Sequence, residues 1–363
     1  MSPVSAPPPV ITAWSALSPL GTGTAAHTVA PPPDGPAHRE TRPDHTVHLV
    51  PDFEPRAVLG KAGTRSMDRV SALAVATVGD LLRQLPPDRP GPHTDPAGTA
   101  VVLATTGSPQ AMRDFTRSSL LAAKPYHVNP AVIPSGVPNC AAGLVAIWHR
   151  LTGPNTTICA GRTGALAALG HAQRLLANGR AGRVIVGATE EYTPTRAILD
   201  LRRQPPGDTR PVLGEGCAVF LLEPPAPQPA GGPVTEVLGV VHNTGPASDP
   251  AARLPDCIRE ALDQCWIRPG QVWAALGART VGAHGRREQQ VLDELFGTEV
   301  GHRVAPLPIG DTSCATSAFQ LAAALAAPAP TTTDTILVVT SVDVIGTVAC
   351  AVLRRRPVAA RQR

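Results

Sequence analysis

Several features that would assign this sequence quickly are missing from it. No run approaches the ~18 consecutive apolar residues of a membrane-spanning helix, and no basic segment precedes an apolar core near the N-terminus. Neither membrane insertion nor export is therefore expected, and a cytoplasmic location is. No Lys/Arg block occurs before the terminal LRRRPVAARQR, and 32 basic residues against 28 acidic ones leave a formal net charge of only +4. A dedicated nucleic-acid binder is not expected. Lysine is nearly absent, with only Lys61 and Lys124, a bias expected of GC-rich coding rather than of arginine chemistry. The seven cysteines are odd in number, show no CxxC spacing and sit in apolar strings such as GEGCAVFLLE and GTVACAVL. They read as buried free thiols in a reducing compartment, with neither a disulfide framework nor a metal site. What is present is a globular composition: 363 residues, 43% hydrophobic and 17% charged, with Gly and Pro below the roughly 25–30% that marks low complexity.

Two α/β halves flank a proline-rich joint. In the first, VITAWSALSPLG (residues 10–21) reads as a strand and the Pro/His-rich stretch 26–44 as a loop. Residues 66–85 read as an amphipathic helix capped by Ser66, and TAVVLATTG (99–107) as a buried strand. Residues 110–123 and 137–151 read as helices, and NTTICAG (155–161) as a strand. After a short turn come a helix that stops at Asn178-Gly179 and the strand RVIVGATEE. The segment PPAPQPAGGP then separates a second strand–helix series that ends in DTILVVTSVD and TVACAVLRR. This gives halves at 1–223 and 235–354, a linker at 224–234 and a basic tail at 355–363.

The strand–turn–helix around residue 162 aims a turn residue at the positive end of a helix. Such an elbow suits an anionic nucleophile, because helix-N-terminal amides lower a thiol's pKa and stabilise developing negative charge. Here the turn residue is Arg162, which has the wrong sign. Cys159 falls at an interior position of the preceding strand string, with no helix dipole aimed at it, and reads as a structural thiol. Cys314 reads as core, and His284 as a surface-loop histidine.

In order along the chain, VITAWSALSPLG, GTRSMDR, KPYHVNPAVIPSGVPNCAAGLVAIWHRLTGPNTTICAGRTGALAAL, VIVGATEE, GEGCAVFLLE, IGDTSCATSAFQLAAAL and VVTSVDVIGTVACAVL resemble the β-ketoacyl-ACP synthases of the thiolase superfamily. The resemblance implies an α/β fold of five αβαβα layers built from two similar halves, a dimer, and chemistry on acyl carrier protein thioesters. The family condenses acyl units with an elbow Cys and two His. Carried over position by position, these fall on Arg162, Gly277 and Asp311, and the glycine-rich gate falls on DVIG, with Asp343 and Val344 at its start. The pattern resembles the chain-length factors of type II polyketide synthases, in which the condensing residues are replaced.

The resemblance implies a non-condensing subunit that pairs with a catalytic ketosynthase and shapes its acyl tunnel. It would bind no cofactor of its own and would meet phosphopantetheine-linked thioesters of the acyl carrier protein through its partner. It would bind neither nucleic acid nor membrane. The resemblance places Phe115, Ser118, Ser119, Ile133 and Pro134 at the tunnel and interface, and the strand Thr156, Thr157, Ile158, Cys159 across the dimer axis. A buried, isolated guanidinium is costly, so Asp311, Asp343 or both are expected to pair with Arg162. A second reading is a free-standing enzyme whose Arg162 binds a substrate carboxylate and promotes malonyl decarboxylation.

Overall fold

Apolar strings without alternation become strands covered on both faces. The computed structural model describes residues 7–28, 39–42, 45–86, 91–203, 209–225, 234–330 and 332–357. In the first half, β1 (Val10–Ser18), β2 (Thr99–Ala104), β3 (Asn155–Ile158), β4 (Arg183–Glu190) and β5 (Gly216–Glu223) lie in the order β1-β5-β4-β2-β3. Strands β4, β2 and β3 run parallel, while β5 is antiparallel to both of its neighbours. In the second half, β6 (Val234–Thr244), β7 (Val272–Leu276), β8 (Thr335–Val342) and β9 (Thr347–Arg356) lie in the order β6-β9-β8-β7. Antiparallel pairing of Val10 with Glu236 and Ile11 with Thr235 joins the halves, and with the short strand Gly21–Thr22 paired to the end of β1 they form one ten-stranded sheet.

The helices supply the other layers. Helices α1 (Arg69–Arg83), α2 (Pro109–Leu121) and α3 (Cys140–His149) precede the elbow. Then follow α4 (Gly164–Ala177), α5 (Pro194–Arg203), α6 (Leu254–Gln264), α7 (Ala283–Phe296) and α8 (Thr316–Ala326). Helices α1 and α3 cover the outer face of the first half, α6 and α7 the outer face of the second, and α4 and α8 pack between the two. The arrangement is the expected αβαβα. Its central layer explains the alanine content: Ala165, Ala168 and Ala172 of α4 and Ala318, Ala322 and Ala324 of α8 are buried in one core with Val186, Phe220, Leu337 and Ala351. A helix packed between the two halves of the sheet keeps little solvent face, and small side chains let the layers approach.

Several local expectations are corrected. Helix α1 starts at Arg69, and its cap is Asp68, whose carboxylate accepts from the Ser71 amide at 2.7 Å; Ser66 lies outside the helix. The stretch 26–44 is not one loop: it includes the end of a helical turn at Gly23–Thr28 and a strand at Arg39–Arg42, paired with His45–His48. His27 of that turn is buried, bonded to Ser18 Oγ at 2.8 Å and stacked on Phe319. Most of the linker, 226–233, and the end of the tail, 358–363, lie outside the described residues. Arg355 and Arg356 end β9 in register with Thr235 and Val234. Among the described residues, no single helix is long and apolar enough to cross a membrane.

Candidate functional site

The elbow runs from β3 through a 3₁₀ turn, Gly161–Thr163, into α4. Gly161 takes φ +54°, and a Cβ there would collide with the Asp343 carboxylate, so glycine is required on both counts. Arg162 follows at the mouth of the helix. Its guanidinium donates to both oxygens of Asp311, Nη1 to Oδ1 at 2.8 Å and Nη2 to Oδ2 at 2.5 Å. The side chains are 19% and 5% exposed, so this is a bidentate, largely desolvated pair. Burial works against both charges, yet the partner wins: Arg162 is raised further above its ordinary range, and Asp311 lies below the ordinary carboxylate value.

Asp343 engages the same elbow differently. Its Oδ2 accepts the Arg162 backbone N–H at 2.7 Å and its Oδ1 accepts the Ile345 N–H at 3.1 Å. Two amides, one at the mouth of α4 and one in the turn between β8 and β9, are thus committed to a fixed carboxylate and are not free to stabilise an oxyanion. Ser341 Oγ holds the Arg162 carbonyl at 2.9 Å, and the Ser313 amide holds Asp311 Oδ1 at 2.8 Å. Behind them lies Arg196, 3% exposed, which donates at 2.8 Å to each of the carbonyls of Glu191, Gly214 and Asp311. Sequence reasoning missed Arg196; its signal was a lone arginine just after an apolar strand that ends in two acids.

Arg162, Asp311, Asp343 and Val344 line one cavity of about 600 Å³, together with Thr106, Arg203 and His284. His284 is therefore not a surface-loop residue. It stands in the first turn of α7, half-buried and facing this cavity, because the helix starts at Ala283, earlier than motif spacing suggested. Gly277 is not part of the lining; it packs under α7, where a Cβ would press on Leu292 and Glu288 at 3.0–3.1 Å. Glu288 itself is buried, accepts from the Ala278 amide and from Thr340 Oγ1 at 2.8 and 2.7 Å, and is pushed up by burial to about 7.

Neither nearby thiol is set up to attack. Cys159 is exposed and lies just beyond the end of β3, not inside the strand as its string suggested. Burial and the neighbouring Glu190 raise its pKa, and burial raises that of Cys314 well above the usual thiol range.

Of the positions expected at an interface, β3 leads into the elbow, whereas Phe115, Ser118, Ser119, Ile133 and Pro134 are not part of the cavity lining. Phe115 and Ser119 are half-buried and Ser118 is exposed on α2, a helix without a buried residue; Ile133 and Pro134 are exposed beyond it. Thr156, Thr157 and Ile158 are half-buried on β3, which forms the edge of the sheet.

Comparison with known proteins places this geometry. Residues 22–227 match the family described as β-ketoacyl synthase, N-terminal domain. The chain belongs to the β-ketoacyl synthase family. A 3-oxoacyl-[acyl-carrier-protein] synthase 2 of Coxiella burnetii is 27% identical to this β-ketoacyl synthase family member over 249 residues, 61% of this chain and 59% of that one. A second, from Vibrio harveyi, is 28% identical over 48% of this chain and 46% of its own length. The chain thus spans about half the length of these curated relatives. A solved structure described as the ishigamide ketosynthase/chain length factor superposes with a TM-score of 0.84 at 36% identity, covering 96% of this chain and 99% of that one. The ketosynthase ApeO in complex with its chain length factor ApeC from Xenorhabdus doucetiae, at 18% identity and TM-score 0.71 over 96% and 98% of the chains, shares the fold.

Proposed function

We propose that this chain is a non-condensing ketosynthase-like subunit, a chain-length factor, which pairs with a catalytic ketosynthase and shapes the tunnel for its growing polyketide or polyene chain. The observation that carries the reading is the commitment of the elbow to itself. The position of the nucleophile is a guanidinium locked on Asp311, and the amides of residues 162 and 345 are filled by Asp343. A site so arranged offers an incoming thioester neither attack nor oxyanion stabilisation. The free-standing alternative weakens for the same reason, since the Arg162 fork that would hold a substrate carboxylate is already occupied bidentately.

The surface supports pairing. Leu120, Leu121, Tyr126 and Ile147 are 70–79% exposed along the segment that carries α2 and α3, and apolar exposure of this extent marks an interaction surface. The edge strand β3 offers unpaired backbone groups for a neighbouring strand. In this reading the carrier protein's phosphopantetheine thioesters are handled by the partner, this chain holds no cofactor, and the pair works in the cytoplasm, engaging neither nucleic acid nor membrane.

The test is expression with and without the cognate ketosynthase, followed by purification and malonyl-dependent elongation assays of the separate and combined proteins. Elongation only by the combination, with product length altered by Ser118→Phe or Phe115→Ala, is the expected result. Malonyl turnover by this chain alone would overturn the reading.

A further inference from the structure

Helix α2 is held in an unusual way. None of its residues is buried, so apolar packing against the body of the protein does not set its direction; its contacts are with α5 and with the 3₁₀ turn Pro134–Gly136. What fixes it is its start. Thr106 Oγ1 donates to Glu190 Oε1 at 2.7 Å, and two residues later Ser108 Oγ donates to Glu191 Oε1 at 2.6 Å. The same Ser108 hydroxyl accepts from the Ala111 amide at 3.2 Å and is the N-cap of the helix. Glu191 Oε2 accepts the Val70 amide at 3.0 Å, in the first turn of the buried helix α1. One carboxylate therefore ties the start of an exposed helix to the start of a buried one. Arg196 clamps the Glu191 carbonyl to those of Gly214 and Asp311, and Thr195 Oγ1 reaches Gln110 Oε1 at 2.5 Å.

Two adjacent carboxyls at 0% and 2% exposure are an expensive way to end a strand. Glu190 Oε2 has no partner among the described residues, and burial pushes both groups up to about 7. Nothing at the elbow uses either side chain. Their visible work is to hold Thr106, Ser108 and the Val70 amide.

We propose that Glu190 and Glu191 are positioning residues that fix the start of α2 and through it the bore of the tunnel that α2 lines with a partner subunit. This rests on the assignment of α2 to that interface. The lever is long enough to matter. Thirteen helical residues span about 20 Å, so a tilt of about 5° at the anchored end moves the far end by about 2 Å. That displacement exceeds the rise of one methylene along an extended chain, and Phe115, Ser118 and Ser119 lie on the part that moves.

The experiment uses the complex with the ketosynthase and compares wild type with Glu191→Gln, Ser108→Ala and the double variant. Glutamine can keep the Val70 bond through its oxygen but then turns an N–H toward Ser108, replacing the carboxylate acceptor of the Ser108 hydroxyl by a neutral donor. The complex is expected to form at wild-type yield, while the ratio of neighbouring product lengths shifts at least threefold in each single variant and no further in the double. Amides 111–114 are expected to exchange about tenfold faster in each variant chain. A merely structural role would lower complex yield without moving the length ratio, and would overturn the proposal, as would unchanged ratios with unchanged exchange. Should Glu191→Gln not fold, Ser108→Ala decides alone. If the wild-type chain fails to bind the ketosynthase or to alter its products, the pairing assignment falls, and amide exchange in the isolated chain still tests the anchor.

Discussion

The Arg162–Asp311 pair allows a quantitative test of the idea that the substitutions at the elbow compensate one another. Asp311→Asn keeps the shape of the side chain and removes its charge, leaving the guanidinium with neutral partners in place of a bidentate carboxylate whose bonds are 2.8 and 2.5 Å long. Removing one member of a pair this well desolvated costs about 3–5 kcal/mol, because the remaining charge stays buried without its partner. For a chain of 363 residues the entropy of unfolding is about 0.8 kcal/mol/K, so the melting midpoint should drop by about 4–7 °C. Arg162→Met should cost a comparable amount, since it leaves the buried Asp311 carboxylate without its guanidinium partner. The double variant Arg162→Met/Asp311→Asn removes the charges together, and its loss should fall short of the sum of the single losses by about 2–3 kcal/mol.

Urea denaturation of the four proteins at pH 7, followed by circular dichroism, supplies the cycle. Additive losses, or an Asp311→Asn variant within about 0.5 kcal/mol of wild type, would refute the reasoning, since either would mean that the two side chains do not depend on each other in the folded chain.

Three further outcomes follow from the same geometry. Arg162→Cys should not restore condensation, because Asp343 still fills the amides of residues 162 and 345; malonyl-dependent elongation by that variant alone would contradict this. Glu190 is held at about 7 in the folded chain against an ordinary 4.5, so it favours folding fully below pH 4.5, and this contribution is lost as pH rises to 7. The stability of wild type relative to Glu190→Gln should accordingly fall by up to about 3 kcal/mol between pH 4.5 and 7 and stay level above it; denaturation midpoints that run parallel across that range would refute the assignment. Leu120→Arg should abolish co-purification with the ketosynthase while leaving the chain's own melting midpoint within about 1 °C, since Leu120 is 79% exposed; an intact complex would place the interface elsewhere.

Most of the architecture was legible because the strands are covered on both faces. Strings such as VIVGATE and TILVVTSV read as strands, and the alanine-rich strings of α4 and α8 as helices, as found. The elbow was legible from order along the chain. What was misplaced depends on where elements start and stop. Cys159 was read as interior because its string looked continuous, but pairing of β3 with β2 stops at Ile158, and the thiol lies past the ladder. His284 was judged by spacing to Glu288, whereas the start of α7 at Ala283 swings it toward the cavity. The anchor at Glu190 and Glu191 did leave a trace in TEEYTPTR. Strand alternation sends neighbouring residues to opposite faces, so one acid meets Thr106 and the other meets Ser108 and the start of α1. No local pattern reveals those partners, which lie more than eighty residues away.

The replacements at the elbow make physical sense only as a set. Arg162 alone would bury an unpaired cation beside helix amides that repel it, and Asp311 alone would bury an anion. Together they neutralise each other, and Asp343 accepts the backbone amides of residues 162 and 345. Arg196 then ties the Asp311 carbonyl to that of Glu191, whose side chain anchors α2. On the proposed reading this centre need not admit a thioester, and its rigidity is available to hold the helix whose exposed apolar face a partner would cover. Under the proposed non-condensing role such a site can be built for stiffness, and the bonds made by Arg162, Asp311, Asp343 and Arg196 would serve as a brace.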